Sequence, residues 1–409
     1  MDKVDTVIET ELKHCFDYFY ENFNREENVY GLMPDAVPNL KGWSSIAGMG
    51  FMLVVMMIGE TEGYLSKEEA QQICEKTLIT CRKLQTDNGM YYHFYDSQTG
   101  ERYHSSEISI IDTALFIAGA LTVGAHYGGE VKRISEEIYS LCNWESFYSH
   151  QRKMFYMSKD EKGFHGYWDS YAEQLIVYFL SAGSEMGKEI ANEAYYAFER
   201  LKGKYHAEEF LYSWYGSLFT HQFSHAFLDL RNIKDKDGVN WYDNSVRATR
   251  EHIKFCQDTL VKFEGLSENE WGLTACDSPK GYNGRIGSAP SGRGGSTMHE
   301  CDGTITPCGA IGSIVFTPNE SIKAMETFYK RPALVGQYGL KDAYNAQQNW
   351  YSSKYISIDK GITALMIANY KRETVWKAFS KVSAIKRAFK VLEFSKENNN
   401  TKYSNKEKD

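Results

Sequence analysis

Two stretches, 110–124 and 175–182, have helical spacing yet are apolar around nearly their whole circumference. Such a helix has no face to give to water, so it must be enclosed by other elements on most sides. The chain therefore calls for an inner layer of helices wrapped by an outer one. Helical patterns are abundant enough to build it, at 4–23, 44–59, 67–84, 106–126, 131–141, 169–182, 187–201, 222–229, 242–262, 321–329 and 361–370. Ser66-Lys-Glu-Glu, Ser105-Ser106-Glu107 and Pro318-Asn319-Glu320 mark helix starts. Extended candidates are short, at 90–95 (followed by a turn at 96–100) and 153–158. Helices joined by loops of such unequal length fit a closed ring of helical hairpins better than a bundle. The expectation is an all-α fold with long loops and short β-hairpins gathered at one end. No Pro/Ser-rich linker divides the chain, so 1–380 reads as one domain, and 381–409 turns basic and then polar, as a disordered tail would.

Composition narrows the function classes. A hydrophobic content of 42% with 24% charged residues is a soluble globular balance. The net charge of −8 speaks against a nucleic-acid partner, which needs a basic face. Met1 to Tyr20 is amphipathic and acidic, unlike a signal peptide, and the longest apolar run, Ile46 to Ile58, is too short to span a bilayer. Eight cysteines without a C-x-x-C pair read as free thiols of a reducing compartment. A cytoplasmic protein with no membrane partner is expected. Aromatics are the outlier at 14%, with many in loop-like sequence: Tyr91, Tyr92, Trp168, Tyr212, Trp214, Trp241, Trp271, Tyr282 and Trp350. That excess suits a surface that stacks on sugar rings.

Three acids head apolar helical runs. Glu173 follows Trp168-Asp-Ser-Tyr171, Asp112 follows Glu107-Ile-Ser-Ile-Ile, and Asp359 follows Tyr355-Ile-Ser-Ile. A capping role explains each one singly. Three repeats of one layout point to a shared rim, where paired carboxyls beside aromatics can cleave a glycosidic bond. Asp277, Asp302 and Asp342 are loop acids able to bind sugar hydroxyls. His221 and His225 stand four apart, a spacing that permits a metal in principle, but no third ligand is evident and hydrogen bonding is the better reading. The glycine-rich segment 287–294 lacks the Lys-Ser/Thr of a phosphate loop and reads as a mobile loop offering Arg285 and Arg293 to a polar ligand. A Gly-x-Ser-x-Gly elbow is absent. No metal and no cofactor are expected.

These blocks together resemble the bacterial glycoamylase-like family, which includes the endo-β-1,2-glucanases of glycoside hydrolase family 144 and the middle domain of cyclic β-1,2-glucan synthases. The matching blocks are Gly42-Trp-Ser-Ser-Ile-Ala-Gly-Met-Gly50, Ile111-Asp-Thr-Ala-Leu115, Trp168-Asp-Ser-Tyr-Ala-Glu173, Leu218-Phe-Thr-His-Gln-Phe-Ser-His225, Trp271-Gly-Leu-Thr-Ala-Cys-Asp277, Asp302-Gly-Thr-Ile-Thr-Pro307, Tyr338-Gly-Leu-Lys-Asp-Ala-Tyr-Asn345 and Ile358-Asp-Lys-Gly361. They run in the family's order over about residues 40–378. The resemblance implies an (α/α)6 barrel with a glycosidase cleft. It implies Glu173 as general acid, with Asp112 and Asp359 at the family's other carboxylate positions. The chain departs from the family at Lys360-Gly361-Ile362, where Gln-Gly-Pro is usual, and at Ala368-Asn369-Tyr370-Lys371, where Glu-Asn-Tyr-Arg is usual.

The expected activity is hydrolysis of β-linked glucose chains, with β-1,2-linked oligosaccharides taken into the cell as the expected substrate. Glu173 protonates the leaving oxygen, and Asp112 or Asp359 activates water or attacks the anomeric carbon. Trp43, Trp168, Tyr171, His221, His225, Trp271, Tyr282, Arg285, Asp302, Asp342 and Trp350 are expected to hold the sugar. A transglycosylase on the same oligosaccharides, or a carbohydrate-binding protein with a degenerate site, are the alternatives.

Overall fold

Burial alternates along the helices of the chain. The computed structural model describes residues 3–397, with fourteen α-helices among them: α1 Lys3–Asn22, α2 Ile46–Thr61, α3 Lys67–Lys83, α4 Ile110–Tyr127, α5 Gly129–Leu141, α6 Leu175–Gly183, α7 Lys188–Ala197, α8 Phe223–Phe227, α9 Trp241–Thr259, α10 Pro307–Ile311, α11 Pro318–Phe328, α12 Ser357–Arg372, α13 Thr374–Phe379 and α14 Ser383–Val391. The even-numbered helices from α2 to α12 are buried over most or all of their length, while α3, α5, α7, α9 and α11 each bury one stripe. The buried helices touch in chain order, α2 on α4, α4 on α6 and α6 on α8. Then α12, which also carries α10, contacts α8 and returns to α2. Helix α4 is long and apolar enough to cross a membrane, but most of it is buried inside this protein.

Glycine sets the closest approach in that ring. A Cβ on Gly119 would lie 2.2 Å from the carbonyl oxygen of Gly50, so α4 and α2 cross backbone to backbone. The helices begin at one end because their caps are tied together there. Ser45 and Ser109 accept the N–H groups of Gly48 and Asp112, capping α2 and α4. The N–H of Ile46 donates to the carbonyl of His93, and that of Ser357, at the start of α12, to the carbonyl of Asp35 (2.8 Å).

The strands are two or three residues long apart from the antiparallel hairpin Met154–Asp160 with Gly163–Tyr167. Three expectations shift. Helix α4 starts at 110 rather than 106, because Ile108–Ser109 pair with Ser158–Lys159 as strand. Helix α6 starts at 175 rather than 169. The fully buried Gln174 bonds the Ala172 N–H (2.7 Å) and the Ser170 carbonyl (2.9 Å), which pins 170–174 as a turn. The chain beyond 381, expected as a polar tail, forms α14 against α6 and the strand Ser395–Lys396 paired to Ile233–Lys234. Its apolar residues are spaced for one buried stripe, with Ala384, Ile385 and Ala388 inside, and the surrounding lysines hid that stripe from a compositional reading. Residues 398–409 of that expected tail lie outside the described residues.

Candidate active site

The turn 168–174, held ahead of α6, forms one wall of a cavity of about 550 Å³, a size that suits a small ligand. Trp168, Tyr171, Ala172 and Glu173 line it from that turn. Ser213, Trp214, Tyr215 and Ser217 face them, and Gly284 and Arg293 close in from the glycine-rich loop. Glu173 is half-buried there rather than on the helix itself. Burial, with a smaller push from the charge of Asp112, raises its carboxyl to about 7. The acid is thus held substantially protonated near neutral pH. The Trp168 indole N–H is buried without a hydrogen-bond partner and belongs to a cavity-lining residue, a donor left for a ligand oxygen. Arg293 lies 5.2 Å from the Trp214 ring and pairs with Glu199 (2.6 Å) and Asp169 (3.5 Å), tying the loop to the acid-bearing turn.

Asp112 stands on the first turn of α4, where the Ser109 hydroxyl donates to it. His93 lies between Asp112 and Glu107, and Asp35 completes the group. Burial raises the carboxyl of Asp35, while the charge of His93 and a hydrogen bond from Trp43 oppose the shift. Trp43, half-buried, stacks on Phe94 at 4.5 Å.

Asp359 and Asp342 form a second centre, the carboxyls bonded to each other beside a void of about 10 Å³ lined also by Cys308 and Tyr355. Burial lifts Asp359 to about 6 and Asp342 well above the carboxylate range, so the pair retains a proton. Asp342 accepts the Asp277 N–H (2.8 Å), and Asp277 in turn is held by Ser352 (2.8 Å) and Lys354 (3.1 Å). Tyr282 keeps 61% of its surface open, while its hydroxyl end feels burial and the charges of Asp359 and Asp342. The two centres are linked electrostatically through Asp35, which acts on both His93 and Asp359. Lys360 does not disturb Asp359. Its ammonium turns to Glu11 of α1 (2.6 Å) and the Tyr338 carbonyl (2.8 Å), a buried pair.

Several expected sugar-binding residues lie elsewhere. His221 and His225 are core residues, 3% and 1% exposed, and burial lowers them to about 3 and about 4. His221, in the turn before α8, borders only a void of about 10 Å³, and His225 Nε2 is taken up by the Ser245 hydroxyl at 3.1 Å. Trp271 is 1% exposed beside His252, and Tyr91, Tyr212 and Trp241 are likewise core, so part of the aromatic excess is packing. Arg285 points outward near Glu300 (3.6 Å). Asp302 caps its own turn by accepting the Thr304 N–H, and Trp350 sits half-buried in a short strand against Asn345. None of these three lines the cavity. Sequence reasoning missed Asp35, His93 and Glu107 as functional residues, because they come from three separate segments, before Trp43, within 90–95 and ahead of α4, whose meeting no local pattern announces. Among the described residues no group of three His, Cys, Asp or Glu side chains is arranged to hold a metal.

Comparison with known proteins places this geometry. The family Glycoamylase, described as putative glucoamylase, matches residues 165–383. A curated relative, the exo β-1,2-glucooligosaccharide sophorohydrolase (non-reducing end) of Parabacteroides distasonis, is 24% identical over 413 aligned residues, 89% of this chain and 54% of that protein. The chain thus spans about half the length of the curated relative it matches. A crystal structure of a putative glucoamylase from Bacteroides uniformis superposes with a TM-score of 0.85 at 23% identity, covering 97% of this chain and 98% of that one. The endo-β-1,2-glucanase of Chitinophaga pinensis, in complex with sophorotriose and glucose, gives 0.84 at 22% identity, covering 97% and 99%. At these identities the solved structures speak for the fold.

Proposed function

The chain belongs to the Glycoamylase family of putative glucoamylases, and we propose that it is a glycoside hydrolase cleaving β-1,2-linked glucooligosaccharides by carboxylate acid/base catalysis. The observation that carries this reading is Glu173, a carboxyl raised to about 7 inside an aromatic-walled cavity, with Asp112 near enough to act on it. An acid that keeps its proton near neutral pH beside a second carboxyl is what glycoside hydrolysis uses. Glu173 donates its proton to the leaving glycosidic oxygen, and Asp112 is the partner carboxylate. Trp214 and Tyr215, half-buried on the facing wall, flank the sugar rings. Trp168 offers its indole N–H to a sugar oxygen, while Tyr171 is packed on Trp241 within the wall itself. Tyr282, 61% exposed above the Asp342–Asp359 pair, is the group there open to a sugar, and the pair beneath it, which shares a proton, can both donate and accept.

The choice of linkage is supported by the relatives, an exo sophorohydrolase and an endo-β-1,2-glucanase. We read the scaffold as an (α/α)6 barrel, with α2, α4, α6, α8, α10 and α12 as inner staves and with α14, packed on α6, inside the same single domain. The cytoplasmic expectation is supported by eight free cysteines, seven of them buried, which suit a reducing compartment.

Product analysis tests the reading. Purified protein is incubated with linear β-1,2-glucan, with sophorose-series oligosaccharides and with β-1,3-, β-1,4- and α-1,4-linked counterparts. Cleavage confined to the β-1,2 series is expected, with sophorose as the main product if action is from the chain end. Glu173→Gln should lower turnover by about 10²–10⁴, with a smaller loss on a nitrophenyl glycoside, whose leaving group needs little protonation. Cleavage of α-1,4-glucan alone overturns the linkage, and an unaffected Glu173→Gln removes that residue from the mechanism.

A further inference from the structure

His93 has both ring nitrogens turned to carboxylates, Nδ1 to Glu107 at 2.9 Å and Nε2 to Asp112 at 3.6 Å. A neutral imidazole has one donor and one acceptor nitrogen, so one of these contacts would set lone pair against lone pair. The imidazolium suits both contacts, donating a hydrogen bond from Nδ1 to Glu107 and presenting its positive charge to Asp112 at ion-pair distance. The ring is also fixed in place. It stacks on Phe94 at 3.7 Å and 19°, and Phe94 stacks on Trp43 at 4.5 Å and 12°. The backbone is held on both sides, with the His93 N–H donated to the Glu107 carbonyl (2.8 Å) and its own carbonyl accepting the N–H that opens α2 (3.1 Å).

We propose that His93 is a positioning residue for the Glu173–Asp112 pair, an imidazolium clamped between Glu107 and Asp112 that aims the Asp112 carboxylate and sets a fixed positive charge beside it. The proposal rests on the reading of Glu173 and Asp112 as the acting pair. The groups acting on the ring are Asp112 from α4, Glu107 from the segment before it and Asp35 from the loop before Trp43. All are acidic. Burial alone would discharge the ring, but these carboxylates overcome it and lift His93 to about 9. The charge is then passed on. The charge of Asp112 in turn adds to the burial that raises Glu173, so the fixed cation stands beside one carboxyl of the pair and the acid is the other. Without it, Asp112 would face Asp35 and Glu173 with no cation beside it and would tend to take up a proton.

Two measurements test this. In the first, imidazole NMR of the full chain follows the His93 resonance, assigned by its loss in His93→Gln. A cationic ring at pH 7 titrating near 9 is expected, with the midpoint falling by about 1 unit or more in Asp112→Asn. A ring neutral at pH 7, or a midpoint unmoved in Asp112→Asn, overturns the proposal whatever the substrate proves to be. In the second, the pH profile of kcat/KM on a β-1,2-linked trisaccharide is compared between wild type and His93→Gln, with melting curves to confirm folding. The acid limb should move up by about 1–2 units, and His93→Arg should move it back. An unmoved limb in a folded His93→Gln protein overturns the positioning role. Failure of the wild type to cleave the trisaccharide counts against the function proposed above, and the NMR result then decides the charge clamp by itself.

Discussion

At the scale of single residues, the site is an arrangement of carboxyls sorted by surroundings. Glu173 is largely withdrawn from water and its proton is retained; Asp112 has a hydroxyl and an imidazolium beside it; Asp342 and Asp359 share a proton in the core. The first of these has a consequence for stability. The Glu173 carboxyl sits at about 7 in the folded chain against an ordinary 4.5, so the folded state holds its proton more tightly than the unfolded state. Stability from this group is therefore full below pH 4.5 and is lost as pH rises through 7, by up to about 3 kcal/mol. Glu173→Gln keeps the shape and removes the titration. Urea melts of both proteins should show the variant gaining on the wild type between pH 4.5 and 7 and holding a constant lead above that. A difference flat across this range would mean that the carboxyl is solvated rather than dry.

At the scale of elements, the inner helices are brought close enough to present their first turns together because small residues line their crossings. Gly50 and Gly119 meet where α2 crosses α4, with Gly119 also facing the Gly50 Cα. Gly119→Ala adds helix propensity of about 1 kcal/mol, but the new methyl lands on a backbone carbonyl that cannot step aside. Overpacking of this kind costs about 1–3 kcal/mol, occasionally more, so a net loss of stability is expected. Because the crossing sets the spacing of the two first turns, activity should fall along with the melting temperature. A variant as stable as the wild type would show that the two helices can separate freely. The caps belong to the same level. Ser45 and Ser109 were legible only as residue types, whereas the carbonyls of His93 and Asp35 that open α2 and α12 come from distant loops.

At the scale of the whole molecule, one continuous hydrophobic core runs from Ile8 to Leu392, so both ends of the described chain contribute to it. The C-terminal helix is part of that core. Phe389 and Phe394 pack on Phe179 of α6, and Arg387 donates to the Gly183 carbonyl (2.8 Å). A chain stopped after Lys381 should therefore unfold at lower denaturant than the full chain. Each apolar side chain buried there, such as Ile385 and Leu392, contributes about 1.5–3 kcal/mol, so the drop should amount to several kcal/mol. Equal midpoints for the two chains would make α14 an appendage.

The sequence by itself determined the layering. Helices apolar on every side must be inside, and that requirement needs no knowledge of partners, so 110–124 and 175–182 could be assigned to the interior from pattern alone. It also picked out Glu173, Asp112 and Asp359, because an acid heading an apolar run is a local feature. Only the tertiary structure decided which aromatics and histidines face a ligand. Trp168 and Trp271 look alike in sequence, yet one lines a cavity and the other fills the core. It also decided which acids pair. Asp342 and Asp359 are seventeen residues apart, and His93 reaches Asp112 from a segment nineteen residues earlier. Such contacts depend on where loops end in space. Periodicity carries no information about that, whereas dielectric and charge at a carboxyl depend on little else.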